Sequence, residues 1–492
     1  MTNSTRINAL FPLQQSSIDI FTIGITIALL FSRTNNRKGV TVKKMYANKL
    51  PELLKREREM FIKKHPRSQE LFEKAKANLL GGVPMNWMVK WAGDFPLFVD
   101  WAKGAHFTDV DGHRCLDLCL GDTGAMTGHA PDAVLEAITK RMESGTTLML
   151  PTEDSIYVGA ELHRRFGLPY WQFALTATDA NRFSIRLARH ITGRNKILVY
   201  NYCYHGSVDE SFITLYPNGQ AKARQGNLGP PVDPSMTTKV VEFNDLPALE
   251  KALADKDVAC VLAEPVMTNI GIIHPDPGYH LALRELTKET GTLLIIDETH
   301  TICAGPGGYT ALHGLEPDIL TIGKPIASGI PAAVYGFSET VADLVQNSIE
   351  IEDCDTGGIG GTLAGNALSV AAMRVTLEKV LTQAAYDITI PLADRFVDGV
   401  NDVIREFDLP WSVTKLGCRS EYWFRREPAR NGQEAAEAVD TELDRYMHLA
   451  ALNRGILMTP FHNMALISPQ TTNEDIDQHT AVFREIVGNL VV

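Results

Sequence analysis

Residues 293–336 read LLIIDETHTICAGPGGYTALHGLEPDILTIGKPIASGIPAAVYG. Two short apolar runs rich in β-branched residues, Thr292–Ile296 and Ile319–Ile322, are separated by a glycine-bearing stretch of ordinary helical length. That alternation is the pattern of neighbouring parallel strands joined by a crossover. Asp297 closes the first run and Lys324 follows the second, so both side chains are expected on one rim of the sheet. In open α/β sheets ligands sit beyond the carboxyl ends of the strands, which makes that rim the expected site. Taken singly, an Asp at a strand end also serves as a helix cap, and a Lys there also points to solvent.

Working outward, further strands are expected at Lys196–Tyr200 (KILVY), Val258–Ala263 (VACVLA) and Ala332–Phe337. Residues with chemical capability follow two of them, Tyr204 and His205 after the first and Glu264 after the second. Upstream, apolar residues recur at three and four positions from Leu50 to Leu80, which predicts amphipathic surface helices. Runs at 98–100, 105–109 and 115–118, the last two flanking Asp111-Gly112, predict a small antiparallel sheet. Beyond Ala372 a long helical stretch leads to strands near 420–424 and 457–458. The class is therefore α/β, with a mostly parallel sheet in a large domain at 121–372. A small α+β domain is expected from 45–120 and 373–492.

A formal charge of −12 over 492 residues argues against binding a phosphate backbone. Seven scattered cysteines without a CxxC pair read as reduced thiols in a cytoplasmic protein. The apolar run at 18–31 is shorter than the ~20 residues a spanning helix needs, and its positive charges follow rather than precede it, unlike a signal peptide. Residues 1–44 are read as an extension, with no membrane span expected and the working protein beginning near Met45.

Over roughly residues 75–375 the sequence resembles the class III aminotransferases, and the glutamate-1-semialdehyde aminomutases in particular. The resemblance rests first on the Asp-Glu and Lys-bearing strands quoted above, and it implies a fold of the aspartate aminotransferase type (fold type I) with pyridoxal 5'-phosphate (PLP) as cofactor. Lys324 would hold PLP as an imine, while Asp297 would keep its ring nitrogen protonated so that the ring can accept electrons. NYCYHG places Tyr204 where the family sets an aromatic ring on the cofactor face, with His205 next to it; core packing is the alternative for this ring. ALTATDANR stands where the family binds the phosphate at the start of a helix, giving that role to Thr176, Ala177 and Thr178. Capping of the helix is the other reading of these threonines. Ala177 replaces a family glycine. GGTLAGNALS resembles the run whose threonine reaches the neighbouring protomer's phosphate, so Thr362 implies a homodimer with shared sites. Glu264, in AEPV, either bonds near the cofactor ring or makes a backbone bond at its strand end.

The resemblance fails at one place. Aminomutases carry an arginine for the substrate carboxylate shortly after an early Gly-Gly-Val, and GGVPMNWMVKW puts Met88 near that position. Asn86, Trp87 and Met88 suggest instead an apolar, aromatic wall. Arg419 and Arg425 remain as carboxylate binders, or as solvated surface charge. The expected reaction is ping-pong transamination between an amine or amino acid and a keto or aldehyde acceptor. The alternatives are a 2,1-aminomutase, a PLP-dependent lyase, or a non-catalytic binding protein. No metal centre is expected, because Asp297 and His300 have no third ligand spaced with them.

Overall fold

The strand runs form a sheet because they are apolar on both faces. All six residues of Val258–Ala263 are buried, as are Ile319–Ile322, which a sheet covered by helices on both sides requires. The structure, a computed structural model, describes residues 46, 48–348 and 356–491. The extension 1–44, with its apolar run, lies outside the described residues. No helix among the described residues is long and apolar enough to cross a membrane.

Two helices open the described chain, α1 (Leu50–Lys64) and α2 (Pro66–Ala75), with His65 between them. Phe61 of α1 packs on Phe95 and joins Leu449 and Leu452 in an apolar cluster. Next come β1 (Val99–Lys103), β2 (His106–Asp109) and β3 (Arg114–Asp117), paired antiparallel with the turn at Asp111-Gly112 between the last two. A late strand, Ile456–Leu457, adds parallel to β3, so distant parts of the chain share this small sheet.

The large sheet has seven strands: β4 (Tyr170–Ala174), β5 (Lys196–Tyr200), β6 (Thr238–Val241), β7 (Val258–Ala263), β8 (Leu293–Asp297), β9 (Ile319–Ile322) and β10 (Ala333–Phe337). Their spatial order is β4-β10-β9-β8-β7-β5-β6. Alternate residues of β5 join different apolar clusters, Ile197 and Val199 one and Leu198 and Tyr200 the other, so each sheet face carries its own core. All neighbours from β9 to β6 pair parallel, whereas β10 is antiparallel to both β9 and β4. The reversal comes from chain length, because the link from Gly323 to Ala332 is shorter than the dozen or more residues a parallel crossover needs. A three-stranded sheet, β11 (Ser412–Leu416), β12 (Arg419–Trp423) and the strand Met464–Leu466, lies near the carboxyl end of the chain.

Candidate active site

The carboxyl ends of β7, β8 and β9, together with the start of the helix α3 (Ala177–Thr192), surround a cavity of about 340 Å³. Thr176, Ala177, Thr178, Tyr204, Gly206, Glu264, Asp297, His300 and Lys324 are among its lining residues. Five chain segments far apart in sequence are thereby brought to one place.

Asp297 ends β8 and is buried. Its Oδ2 accepts from Asn181 Nδ2 at 2.8 Å and meets His205 Nδ1 at 3.0 Å, while Oδ1 accepts from the amide of Thr299 at 3.0 Å. Asn181 is itself oriented, because its Oδ1 accepts from the Thr321 hydroxyl on β9 at 2.7 Å. Burial opposes the charge on Asp297, yet the hydrogen bond and charge of His205 outweigh it and hold the carboxyl below its usual range. The result is a fixed buried anion facing the cavity. His205 gains correspondingly: burial disfavours its proton, and Asp297 restores it.

Glu264, beyond β7, behaves differently. Burial pushes its carboxyl up to about 7. Its Oε2 accepts from the Thr268 hydroxyl. Its Oε1 and the Nε2 of His205 are buried polar atoms with no hydrogen-bond partner among the described residues. Buried polar atoms are rarely left so, and both belong to the walls of this cavity or their immediate support.

At α3 the Thr176 hydroxyl caps the helix, accepting from the amide of Asp179 at 3.2 Å and donating to its carboxylate at 2.8 Å. The Thr178 hydroxyl accepts from the amide of Ser207 at 3.0 Å. Gly206 permits that approach: its φ is +79°, and a Cβ there would stand 2.1 Å from Thr178 Oγ1. Gly323 likewise admits Ala177, since a Cβ would lie 2.9 Å from the alanine methyl. Tyr204 is partly exposed on the cavity wall, its ring nearly perpendicular to that of Phe212.

Lys324 follows Gly323 with a φ of +47°, a left-handed conformation that costs a non-glycine residue energy and is concentrated at functional sites. Its Nζ donates to Asp122 Oδ2 at 2.7 Å and lies 2.8 Å from His300 Nε2. His300 Nδ1 is 2.8 Å from the Thr123 hydroxyl and 3.1 Å from Arg419 Nη1. A guanidinium only donates, so Nδ1 must accept and the single proton of the neutral ring lies on Nε2, facing Lys324. Burial first, then the charge of Lys324, keeps His300 neutral. Burial also opposes the charge on Asp122, but the cations beside it, Lys324 and then Arg419, hold its carboxyl well below the usual range.

Asp122, Thr123, Asn181 and Arg419 thus complete a site whose strand-end members the sequence indicates directly. Asp122 and Thr123 stand out only as polar residues inside the apolar, glycine-rich LCLGDTGAM. Arg419, read as either surface charge or a carboxylate binder, is not surface charge. It is fully buried on β12 behind His300, and its Nη2 donates to the carbonyl of Thr268 at 3.2 Å. Arg425 pairs with Glu434 at 3.2 Å and does not line the cavity. Asn86, Trp87 and Met88 are not among the residues that line the Lys324 cavity. Met88 lines a separate apolar cavity with Phe61, Val83 and Phe95, and Trp87 packs edge-on against Phe461. Thr362 is exposed and lines another cavity with Met149, Phe173 and Asn366.

Residues 87–487 match the model of the class III aminotransferases. The chain belongs to this family. It is 32% identical over 426 residues to a glutamate-1-semialdehyde 2,1-aminomutase of Anaeromyxobacter dehalogenans, covering 85% of this chain and 96% of the relative. The enzyme of the same name from Methanocaldococcus jannaschii is 33% identical over 407 residues, covering 81% and 92%. Among solved structures, a glutamate-1-semialdehyde aminomutase from Pseudomonas aeruginosa superposes with a TM-score of 0.88 at 49% identity, covering 90% of this chain and 98% of the other. A lysine-to-alanine variant of that protein was solved in complex with PMP. An ω-transaminase from Sphaerobacter thermophilus gives 0.78 at 26% identity, with 86% and 98% covered. This chain is thus a PLP-family enzyme of fold type I, and pyridoxal phosphate is its cofactor.

The cavity fits that cofactor. Asp297 offers the fixed anion a pyridinium nitrogen needs, Lys324 an amine, and α3 its amino-terminal amides. Glu264 Oε1 and His205 Nε2 are polar groups still to be partnered.

Proposed function

We propose that this enzyme moves an amino group on a small substrate, with Lys324 as the residue that binds the cofactor covalently and then handles the proton. The observation that carries the reading is the pairing, across one cavity, of a buried Asp297 held by Asn181 and His205 with a Lys324 whose nitrogen lies 2.8 Å from His300 Nε2. Bound PLP supplies an electron sink for the carbanion beside the substrate nitrogen. Asp297 keeps the ring nitrogen protonated, and His205 and Asn181 keep Asp297 in place. Tyr204 covers a face of the ring. The amides of Ala177 and Thr178, left free by the Thr176 cap, would hold the phosphate. Glu264, protonated in part at neutral pH, donates a hydrogen bond from its free oxygen. Lys324, once its nitrogen is released by the substrate, takes the proton from the substrate carbon and returns it at the neighbouring position. His300 and Asp122 position that nitrogen between them.

The relatives favour an intramolecular 2,1-aminomutase over transamination between two substrates, since the curated relatives named above are aminomutases. One observation favours two-substrate transfer: Met88 stands near the sequence position of the aminomutase arginine and lines an apolar cavity whose walls do not include Lys324. Supplying glutamate 1-semialdehyde alone separates the two. Formation of the isomer with nitrogen on carbon 1, without any second substrate, establishes the mutase. A strict requirement for donor and acceptor, consumed in equal amounts, establishes the transaminase. Absence of both overturns the proposal.

The exposed Thr362 fits a homodimer in which it completes the partner's phosphate site, as the family resemblance implies. We assign the large sheet and its helices to the cofactor domain, and the two smaller sheets to a small domain drawn from both ends of the chain.

A further inference from the structure

Away from the cavity, at the junction of α1 and α2, three side chains converge. His65 Nε2 lies 3.4 Å from Asp109 Oδ2, and His113 Nδ1 lies 3.1 Å from the same oxygen. All three ligand atoms fall within 4.8 Å of one another. His65 is only 3% exposed and Asp109 1%, whereas His113 reaches the surface.

The hydrogen-bond arithmetic leaves this cluster incomplete. His65 Nδ1 is 2.8 Å from the carbonyl of Phe61, which can only accept, so Nδ1 carries the proton. In the neutral ring Nε2 then presents its lone pair toward a carboxylate oxygen, two acceptors facing each other with no hydrogen between them. Asp109 is oriented for the same meeting, since its Oδ1 is taken by the amides of Asp111 at 2.9 Å and His113 at 2.8 Å. Oδ2 is left for the two imidazoles.

We infer that His65, Asp109 and His113 form a binding site for a single divalent transition-metal ion of the zinc type. Zinc bonds of ~2.1 Å to nitrogen and oxygen give tetrahedral edges of about 3.4 Å, close to the two edges seen here. The donor set of two imidazoles and one carboxylate suits Zn²⁺. The Nδ1–H of His65 bonded to a carbonyl is the outer support that metal-bound histidines use to fix their ring. Entry is from the side of His113, where a water would take the fourth position. The ion would pin the α1–α2 junction to the β2–β3 turn, and this role is independent of the cavity at Lys324.

The test uses the full-length, PLP-loaded protein stripped of adventitious metal with a chelator. Zn²⁺ is titrated against a chromophoric chelator for the wild type and for His113→Ala, whose exposed side chain can be removed without opening the core. The wild type should take up one more equivalent than the variant, and His113→Ala should lose at least about 100-fold in affinity at that equivalent. Co²⁺ in its place should give visible bands of tetrahedral intensity. His113→Cys should add a near-ultraviolet cobalt–thiolate band. Equal Zn²⁺ stoichiometry and affinity in wild type and His113→Ala, or Co²⁺ without tetrahedral bands in the wild type, would overturn the site and leave a hydrogen-bonded cluster in its place.

Discussion

The two sides of the Lys324 cavity are built by different means. On one side Asp297 is carried by β8, and its supports come from regular elements and their ends: Asn181 inside α3, Thr321 on β9, and His205 beyond β5. On the other side Asp122, Thr123 and His300 sit on irregular backbone, with φ at Asp122 of +50° and at Thr123 of +85°. Regular elements place a charge by repeating geometry. Loops place one only when several distant segments agree, and here the agreement is a chain of hydrogen bonds from Arg419 through His300 to Lys324 and Asp122. The first side is suited to holding a charge constant through the reaction, and the second to adjusting a nitrogen that must change partners.

Substitutions probe this contrast. Lys324→Ala removes the group both sides address and should lower turnover by about 10⁴-fold or more, measured in single-turnover assays. Asp297→Asn keeps shape and deletes the fixed charge; the expected loss is ~10²–10³-fold in kcat. Replacing His205 should add little on top of Asp297→Asn, because His205 acts through that carboxylate, and full additivity in a double-mutant cycle would break the argument. The loop side should respond more gently and in two directions. At neutral pH His300→Leu should slow covalent attachment of PLP to the apoprotein by about tenfold, since it deletes the N–H that would stabilise Lys324 in its free-amine form. Asp122→Asn should speed it, since it deletes the anion that favours a protonated lysine. Rates shifted in the same direction by both would contradict the proton placement at His300.

Legibility in the sequence divides along the same line. The strand-end residues Asp297, Glu264, Tyr204 and Lys324 are readable, because apolar runs of strand length announce where they stop and the sheet topology gathers the residues just beyond them. Asp122 and Thr123 are not, since the GDTG segment has no periodicity and its backbone angles are set by tertiary contacts. His300 enters the sequence reading only in the metal pairing with Asp297 that is rejected there, and two of its actual neighbours come from sequence positions 119 and 177 residues away. Arg419 is ambiguous in the sequence for a physical reason: an arginine in a late strand is ordinarily solvated, and only its burial beneath His300 removes the surface-charge reading. The antiparallel turn of β10 is readable in principle from its short link, which cannot accommodate a crossover helix.

The smallest expected effect concerns pH. Glu264 titrates near 7 in the folded protein, above its ordinary value of 4.5, because of burial. The folded state therefore binds that proton more tightly than the unfolded one, so the associated stability is present below pH 4.5 and is lost as pH rises through 7. Raising the pH from 6 to 8 should lower the Tm of the wild type by about 1–2 °C more than that of Glu264→Gln, followed by calorimetry.

The most direct test of the central claim is to load the protein with PLP, reduce it with borohydride, digest it and locate the modified residue by mass spectrometry. The account predicts one phosphopyridoxyl group per chain, on the peptide containing Lys324. Modification at a different lysine, or none after saturating PLP, would contradict it.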